Sequence, residues 1–331
     1  MSFGLGYFVM GLWWIYISLH DVGGMHPILS GAAVFLLSAF MAIYFSAATL
    51  SLAIFKPSRI SGLLLAASWV GFEYLRGVIF TGFPWMGLAE GQFNGPFAPI
   101  APLLGGLACS FLAVCISWEI TQLRKNVFFS GVCIISTIAV AQLASFWTFT
   151  KPIGEPLSVH LLQGNFEQSL KFNPKAIEDQ FSFYTKAIER ESADLIVTPE
   201  TAYPWPQSNL PTGLLGSLQQ FSNNTSSSVL LGVIGEVSNT GESKYTNRAL
   251  GLSPNVPSYQ YDKSHLVPFG EFIPPGFRWF VNAFRVPMSD FARGQLDQAP
   301  FSIVRSGKDT IHAAITICYE DVFGGELASR I

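Results

Sequence analysis

The sequence predicts two architectures in series: a multi-pass α-helical membrane domain over residues 1–150 and a layered α/β domain over residues 151–331. Three observations predict it. Half of the 331 residues are apolar and only 12% are charged, about half the charged share of an ordinary soluble domain. Mean hydropathy is accordingly positive, at +0.37. The charges are also segregated: of the 19 Lys and Arg plus 22 Asp and Glu, nine fall in residues 1–150 and the remaining 32 in residues 151–331. Finally, the first half carries five apolar runs near the roughly 20 residues that a bilayer crossing needs. A net charge of −3 with no extended basic run removes the electrostatic basis for nucleic-acid binding.

The five runs are 1–19, 28–55, 60–80, 100–118 and 127–147. Their recurrence, and the lack of a basic leader segment, separate them from a cleaved signal peptide. Lys56 and Arg59 follow the second run, and Arg124 and Lys125 follow the fourth. The positive-inside rule assigns both clusters to the cytoplasm, so residues 20–27 and 81–99 face the other side and the chain after Trp147 lies outside the cytoplasm. Glu73 and Arg76, three residues apart, share one helical face inside the third run. They read either as a functional intramembrane pair or as a structural one with Arg76 snorkelling to the interface.

Beyond a Pro/Gly-containing link at 151–156, the pattern becomes that of an α/β domain. Strands are expected at 158–163, 193–198, 229–237, 247–252 and 310–317. A helix is expected from Pro174 to Glu191, with Asn173 as its N-cap. The strand at 193–198 delivers Pro199-Glu200, and that at 310–317 delivers Cys318-Tyr319-Glu320-Asp321. Open α/β sheets place their chemistry at such strand ends.

Of the four cysteines, Cys109, Cys115 and Cys133 fall in membrane runs, which leaves Cys318 alone in the second half. It is either a buried small hydrophobe or a reactive thiol. Glu200 is a candidate base for it. Lys263 is a candidate cation to lower the thiol pKa or stabilise an oxyanion, and Glu271 can orient that lysine or share the proton handling. Spacing alone does not bring these groups together. No zinc-ligand spacing among the five histidines and no Gly-rich phosphate loop occurs, so no metal or cofactor is expected.

The same residues lie in a recognisable series. It runs Thr81-Gly-Phe-Pro-Trp85, Gln163-Gly-Asn-Phe-Glu-Gln-Ser-Leu-Lys171, Pro199-Glu-Thr-Ala202, Tyr261-Asp-Lys-Ser-His-Leu-Val-Pro-Phe-Gly-Glu-Phe-Ile-Pro274 and Ile317-Cys-Tyr-Glu320. With the preceding spans, this series resembles the bacterial apolipoprotein N-acyltransferases, the membrane branch of the nitrilase (carbon–nitrogen hydrolase) superfamily. The resemblance implies a nitrilase-like αββα sandwich mounted on transmembrane helices in the bacterial inner membrane, with its catalytic domain facing the periplasm. It implies Glu200, Lys263 and Cys318 as the catalytic set, Glu271, Tyr319 and Glu320 as supporting residues, and Trp147 at the domain junction as a further one. The reaction implied is transfer of a fatty acyl group from a membrane phospholipid, typically phosphatidylethanolamine, through a Cys318 thioester to the N-terminal amine of a diacylglyceryl-cysteine lipoprotein.

Against the family pattern the chain starts inside what looks like the second or third helix and stops thirteen residues after Cys318. The resemblance therefore implies that later sandwich strands and a final span are absent from these residues. Two alternatives stand beside the acyltransferase: a membrane-tethered nitrilase-like amidase using the same three residues, and an inactive truncated protein serving as scaffold.

Overall fold

In the computed structural model, residues 1–54, 60–167, 173–239, 242–279 and 290–330 are described. The chain divides into two compact units, Met1–Ile153 and Gly154–Ile331. Lys56 and Arg59, on which half of the topology expectation rests, lie outside the described residues, as does Lys171.

The first unit is helical. Its main elements are α1 (Ser2–Gly11), α2 (Trp14–Ile17), α3 (Pro27–Ile54), α4 (Ser61–Val78), α5 (Ala101–Leu104), α6 (Gly106–Gln122) and α7 (Val127–Leu143). Among the described residues, three helical stretches, Pro27–Ile54, Ser61–Thr81 and Val127–Phe146, are long and apolar enough to cross a bilayer. A fourth is reached if the bent pair Ser2–Gly11 and Trp14–Val22 acts as one span. This makes the protein a multi-pass membrane protein. Two of the five expected runs differ from simple helices. The first bends by 48° between its two helices. The fourth breaks at Gly105, whose φ of 77° ends α5 and restarts the chain as the 17-residue α6.

Burial is inverted relative to a water-soluble core. Large apolar side chains such as Phe3, Ile28, Leu36 and Phe128 point outward, while Ser30, Ser38, Ser110 and Ser130 are buried. Lipid solvates the former, and small residues let helices approach closely. A Cβ on Gly4 would stand 3.1 Å from that of Ala42, so α1 meets α3 almost backbone to backbone, beside the cluster of Phe8, Met41 and Phe45. Phe97, Ile100, Cys109 and Ala141 form a second cluster joining α6 and α7.

Arg76 does not snorkel. It is 1% exposed and donates to the carbonyl oxygens of Phe83 (3.0 Å), Pro84 (3.2 Å) and Trp85. Glu73 is held separately, by the Trp69 indole N–H (3.1 Å) and the Ser110 hydroxyl (2.9 Å). The loop that Arg76 grips contains positive φ at Phe80, Thr81 and Met86, conformations that non-glycine residues resist. Arg76→Met should therefore strand three carbonyls and lower stability by about 3 kcal/mol or more. Thermal unfolding of the detergent-solubilised protein measures this, and an unchanged midpoint contradicts it.

The second unit is a sheet with helices on one face. Its strands are β1 (Val159–Leu161), β2 (Leu195–Val197), β3 (Tyr203–Pro206), β4 (Ser228–Asn239), β5 (Glu242–Leu252) and β6 (Tyr259–Asp262), in the order β1-β2-β4-β5-β6, with β3 beside β4. β1, β2 and β4 run parallel, and β4, β5 and β6 antiparallel. Helix α8 (Pro174–Arg190) starts where expected: Asn173 accepts from the N–H groups of Lys175 and Ala176, and Pro174 occupies the first turn. Its residues Phe181, Tyr184 and Ile188 recur at helical spacing and pack, with Leu218 of α9 (Leu214–Thr225), over Ile196, Val229 and Leu231.

The other sheet face carries a two-stranded antiparallel sheet, β7 (Phe301–Ile303) and β8 (Ile311–Ala313). Gly251 leaves room there for the Phe301 ring, and the Ser253 hydroxyl donates to the Ser302 carbonyl at 2.7 Å. The layer order helix–sheet–sheet is that of a partial αββα sandwich. The expected strand at 310–317 is strand only at Ile311–Ala313. Beyond it, backbone groups are satisfied by side chains: the Ile315 carbonyl by Arg330, and the Ile317 N–H by Glu320. Short helix α10 (Gly324–Ala328) follows.

Candidate active site

Glu200 reaches the site because β2 ends just before it. The Thr198 N–H makes a last rung to the Leu230 carbonyl (2.9 Å), Pro199 has no N–H to offer, and Thr201 takes a φ of 53°. The turn closes with the Ala202 N–H on the Pro199 carbonyl (3.2 Å). Gly232 of β4 lies against this turn, and a Cβ there would overlap the Pro199 oxygen and the Thr201 nitrogen. Gly232→Ala should thus push Glu200 out of place and cost about 2 kcal/mol in stability. Faster alkylation of Cys318 at neutral pH, as the Glu200 charge recedes from the thiol, together with a lowered unfolding midpoint is the expected result, and unchanged values of both contradict it.

Lys263 follows β6. Its N–H donates to the Asn247 carbonyl at 2.8 Å, which fixes it beside β5. Its side chain is 1% exposed, and so buried a cation requires charged partners. Both are present: Glu271 at 2.9 Å and Glu200 at 3.9 Å. Glu271 is set by its own loop, where Phe269 has a φ of 61°, the Val267 N–H donates to its carboxylate at 2.8 Å and its own N–H donates to the Val267 carbonyl at 2.9 Å. The Asn247 amide N–H group donates to both carboxylates, Glu200 and, at 3.1 Å, Glu271. Sequence reasoning missed Asn247. Its only signal was an amide inside a run of buried strand residues.

Cys318 sits on a turn with a φ of 52°. Solvent reaches the residue, yet enough protein surrounds the thiol for burial to be the largest influence on it. Burial and the negative charges of Glu200 and Glu271 raise the thiol pKa, while Lys263 and the Tyr319 N–H pull it down, and the upward influences win. Lys263 acts on the thiol in the expected direction, but burial and the two carboxylates outweigh it: at neutral pH the resting group is a protonated thiol, and it needs a base.

Tyr319 is buried, and its ring meets the rings of His265 and Phe323 edge-on. Burial pushes its phenol well above the ordinary value, so it stays protonated. Glu320 is also fully buried, between two loops. It accepts from the Ile317 N–H (2.9 Å) beside the nucleophile turn. From the lysine block it accepts the N–H groups of Ser264 (2.8 Å) and His265 (3.1 Å) and the hydroxyls of Ser264 and Tyr261. Burial alone would raise its pKa, but these bonds outweigh burial and hold the carboxyl below its ordinary value.

Thus Glu200, Lys263, Glu271, Cys318, Tyr319 and Glu320 occur together in the second unit. Trp147 belongs to the first, exposed just past the turn Ala144–Phe146. A polar cavity of about 250 Å3 opens beside Glu200, lined by Gln163, Asn165, Gln180, Tyr184 and Thr201 among others. A larger cleft of about 540 Å3, between Leu215, Gln219, Leu252 and Asn255, has no titratable lining group and is not where the chemistry sits. Among the described residues no group of three or more His, Cys, Asp and Glu is arranged to hold a metal ion.

Comparison with known proteins places this site in context. Residues 1–118 match the family described as the apolipoprotein N-acyltransferase N-terminal domain. An apolipoprotein N-acyltransferase of Ralstonia nicotianae is 37% identical over 338 residues, covering 100% of this chain and 63% of the relative. One of Nitrosomonas europaea is 34% identical over 340 residues, covering 100% of this chain and 66% of the relative. The chain thus spans just under two thirds of the length of these relatives. A solved CN-hydrolase superfamily protein of Xanthomonas campestris aligns with 50% of this chain and 54% of its own, at 17% identity and a TM-score of 0.30.

Proposed function

The chain belongs to the apolipoprotein N-acyltransferase family, and from that premise we propose that it transfers a fatty acyl group from a membrane phospholipid to the N-terminal amine of a diacylglyceryl-cysteine lipoprotein. The observation that carries this reading is the thiol of Cys318 under the joint influence of Glu200, Lys263 and Glu271, with Asn247 bridging the two carboxylates.

In the first half-reaction Glu200 takes the thiol proton as the sulfur attacks the ester carbonyl of the phospholipid. The oxyanion that forms is held by the Lys263 ammonium and the Tyr319 N–H. The intermediate collapses, Glu200 returns the proton to the leaving alkoxide, and a lysophospholipid departs with the acyl group left on sulfur. In the second half-reaction the α-amine of the lipoprotein attacks the thioester and gives its proton to Glu200. The amide forms, and the proton returns to the sulfur. Glu271 keeps Lys263 ionised and aimed throughout, and Tyr319 and Glu320 support the nucleophile turn. Trp147 acts at the junction, as its family counterpart implies.

Both substrates are anchored in the bilayer, so fixing the catalyst to a membrane unit confines all three to one surface. The donor is taken to be phosphatidylethanolamine. The catalytic unit faces the periplasm of the inner membrane, in accord with the Arg124/Lys125 cluster lying inside.

Membranes containing the chain, incubated with phosphatidylethanolamine and a diacylated lipopeptide, should yield the N-acylated peptide and lysophospholipid in equal amounts. Cys318→Ala should yield neither. Release of free fatty acid with no acylated peptide would point to transfer to water and contradict the proposal.

A further inference from the structure

Behind the nucleophile turn lies a buried arginine that the chemistry above does not use. The Arg330 side chain is 3% exposed. One of its terminal nitrogens donates to the Tyr261 hydroxyl (2.6 Å) and the Ile315 carbonyl (3.2 Å). The other donates to the Ser264 hydroxyl (2.7 Å) and stands 3.4 Å from Glu320, with Glu326 at 3.8 Å. His265 in turn lies 2.8 Å from Glu326.

A guanidinium can only donate. Each hydroxyl that accepts from Arg330 must therefore send its own proton elsewhere. For both Tyr261 and Ser264 the next acceptor is Glu320, at 2.7 Å. Arg330 thus fixes the direction of both hydroxyl bonds. It also supplies the positive charge beside a fully buried carboxylate, which would otherwise be unpaired. That carboxylate binds backbone N–H groups on both sides, Ile317 next to Cys318, and Ser264 and His265 next to Lys263. The arginine consequently acts on two loops through one carboxylate.

We propose that Arg330 is a positioning residue for the nucleophile: it directs the Tyr261 and Ser264 hydroxyls onto Glu320, and through Glu320 ties the Cys318 turn to the Lys263 block. The proposal deepens the reading of Cys318 as nucleophile and rests on it. Slack between the loops would draw the thiol away from Lys263 and the Tyr319 N–H, so loss of Arg330 should make Cys318 less reactive.

The test uses the full chain in membranes, treated with iodoacetamide at fixed pH. Modification is read on the Cys318 peptide, so that Cys109, Cys115 and Cys133 do not contribute. Arg330→Met should slow alkylation about tenfold or more, as expected when buried partners are left unsatisfied. Arg330→Lys, which keeps the charge but offers one nitrogen in place of two, should recover part of the rate. Tyr261→Phe, which removes one arm and keeps the packing, should fall between wild type and Arg330→Met. It also carries the test if Arg330→Met does not fold. Wild-type rates in Arg330→Met or Tyr261→Phe, or an Arg330→Lys protein as slow as Arg330→Met, would overturn the proposal. Alkylation needs no lipid. A chain that follows this pattern yet never acquires an acyl group therefore contradicts acyl transfer alone.

Discussion

Glu200→Gln is expected to make Cys318 more acidic and, in the same protein, to stop acyl transfer. The two effects pull in opposite directions, which makes the variant informative. Burial raises the thiol pKa, and the Glu200 charge raises it further, while Lys263 lowers it. Removing the carboxylate charge lets the thiolate form at lower pH, so the alkylation-against-pH curve of Cys318 shifts toward acid. Lys263→Met removes a lowering influence and shifts the same curve toward alkali. If Glu200 served only as an electrostatic neighbour, the more acidic thiol would be the better nucleophile and transfer would speed up. As the base proposed above it would take the thiol proton and return it to the leaving group, and its loss should then slow transfer by about 10²–10⁴-fold. Peptide-level alkylation against pH, set beside acyl transfer in the same membranes, separates these outcomes. Shifts of equal sign in the two variants would contradict the arrangement described.

Glu320→Gln should have the largest effect on stability. The carboxylate accepts from three backbone N–H groups and two hydroxyls and faces Arg330. An amide turns one of those acceptors into a donor pointed at donors, and leaves the guanidinium without its ion. Breaking a buried pair in this way costs about 3–5 kcal/mol. The pH dependence has a definite sign. The folded-state pKa of Glu320 lies below its ordinary value of 4.5, so its contribution is complete above that value and is lost as pH falls through the folded pKa. The stability gap between wild type and Glu320→Gln should be flat above about pH 5 and shrink at more acid pH. A gap that widens on acidification would mean that Glu320 is protonated in the folded protein.

The parts legible in the sequence are those set by local chemistry. Asn173 and Pro174 announce the start of α8 because a cap acts within one helical turn. The apolar runs announce membrane helices because bilayer thickness fixes their length. The break at Gly105 was not legible, since an uncharged run looks the same whether or not one glycine takes a positive φ. The run at 310–317 read as one strand because its pattern is apolar throughout. Whether it pairs depends on Arg330 and Glu320, which claim its backbone groups from outside the run. Asn247 and Gly232 were missed for a related reason. Their importance lies in touching Glu200, 47 residues from one and 32 from the other, and no spacing rule encodes that contact. Glu200, Lys263 and Cys318 stood out as chemically apt side chains within recognisable motifs. The approach of Glu200 to Lys263 is a property of sheet order, in which β2, β4, β5 and β6 lie side by side, while Cys318 comes from the chain beyond β8 of the second sheet.

The central claim is a covalent acyl group on one sulfur. Mass spectrometry of the membrane-purified chain after incubation with phosphatidylethanolamine tests it most directly. A fatty acyl adduct is expected on the Cys318 peptide, removed by neutral hydroxylamine, absent in Cys318→Ala and greatly reduced in Glu200→Gln. An adduct on another residue, or N-acylated lipopeptide formed by the Cys318→Ala protein, would contradict it.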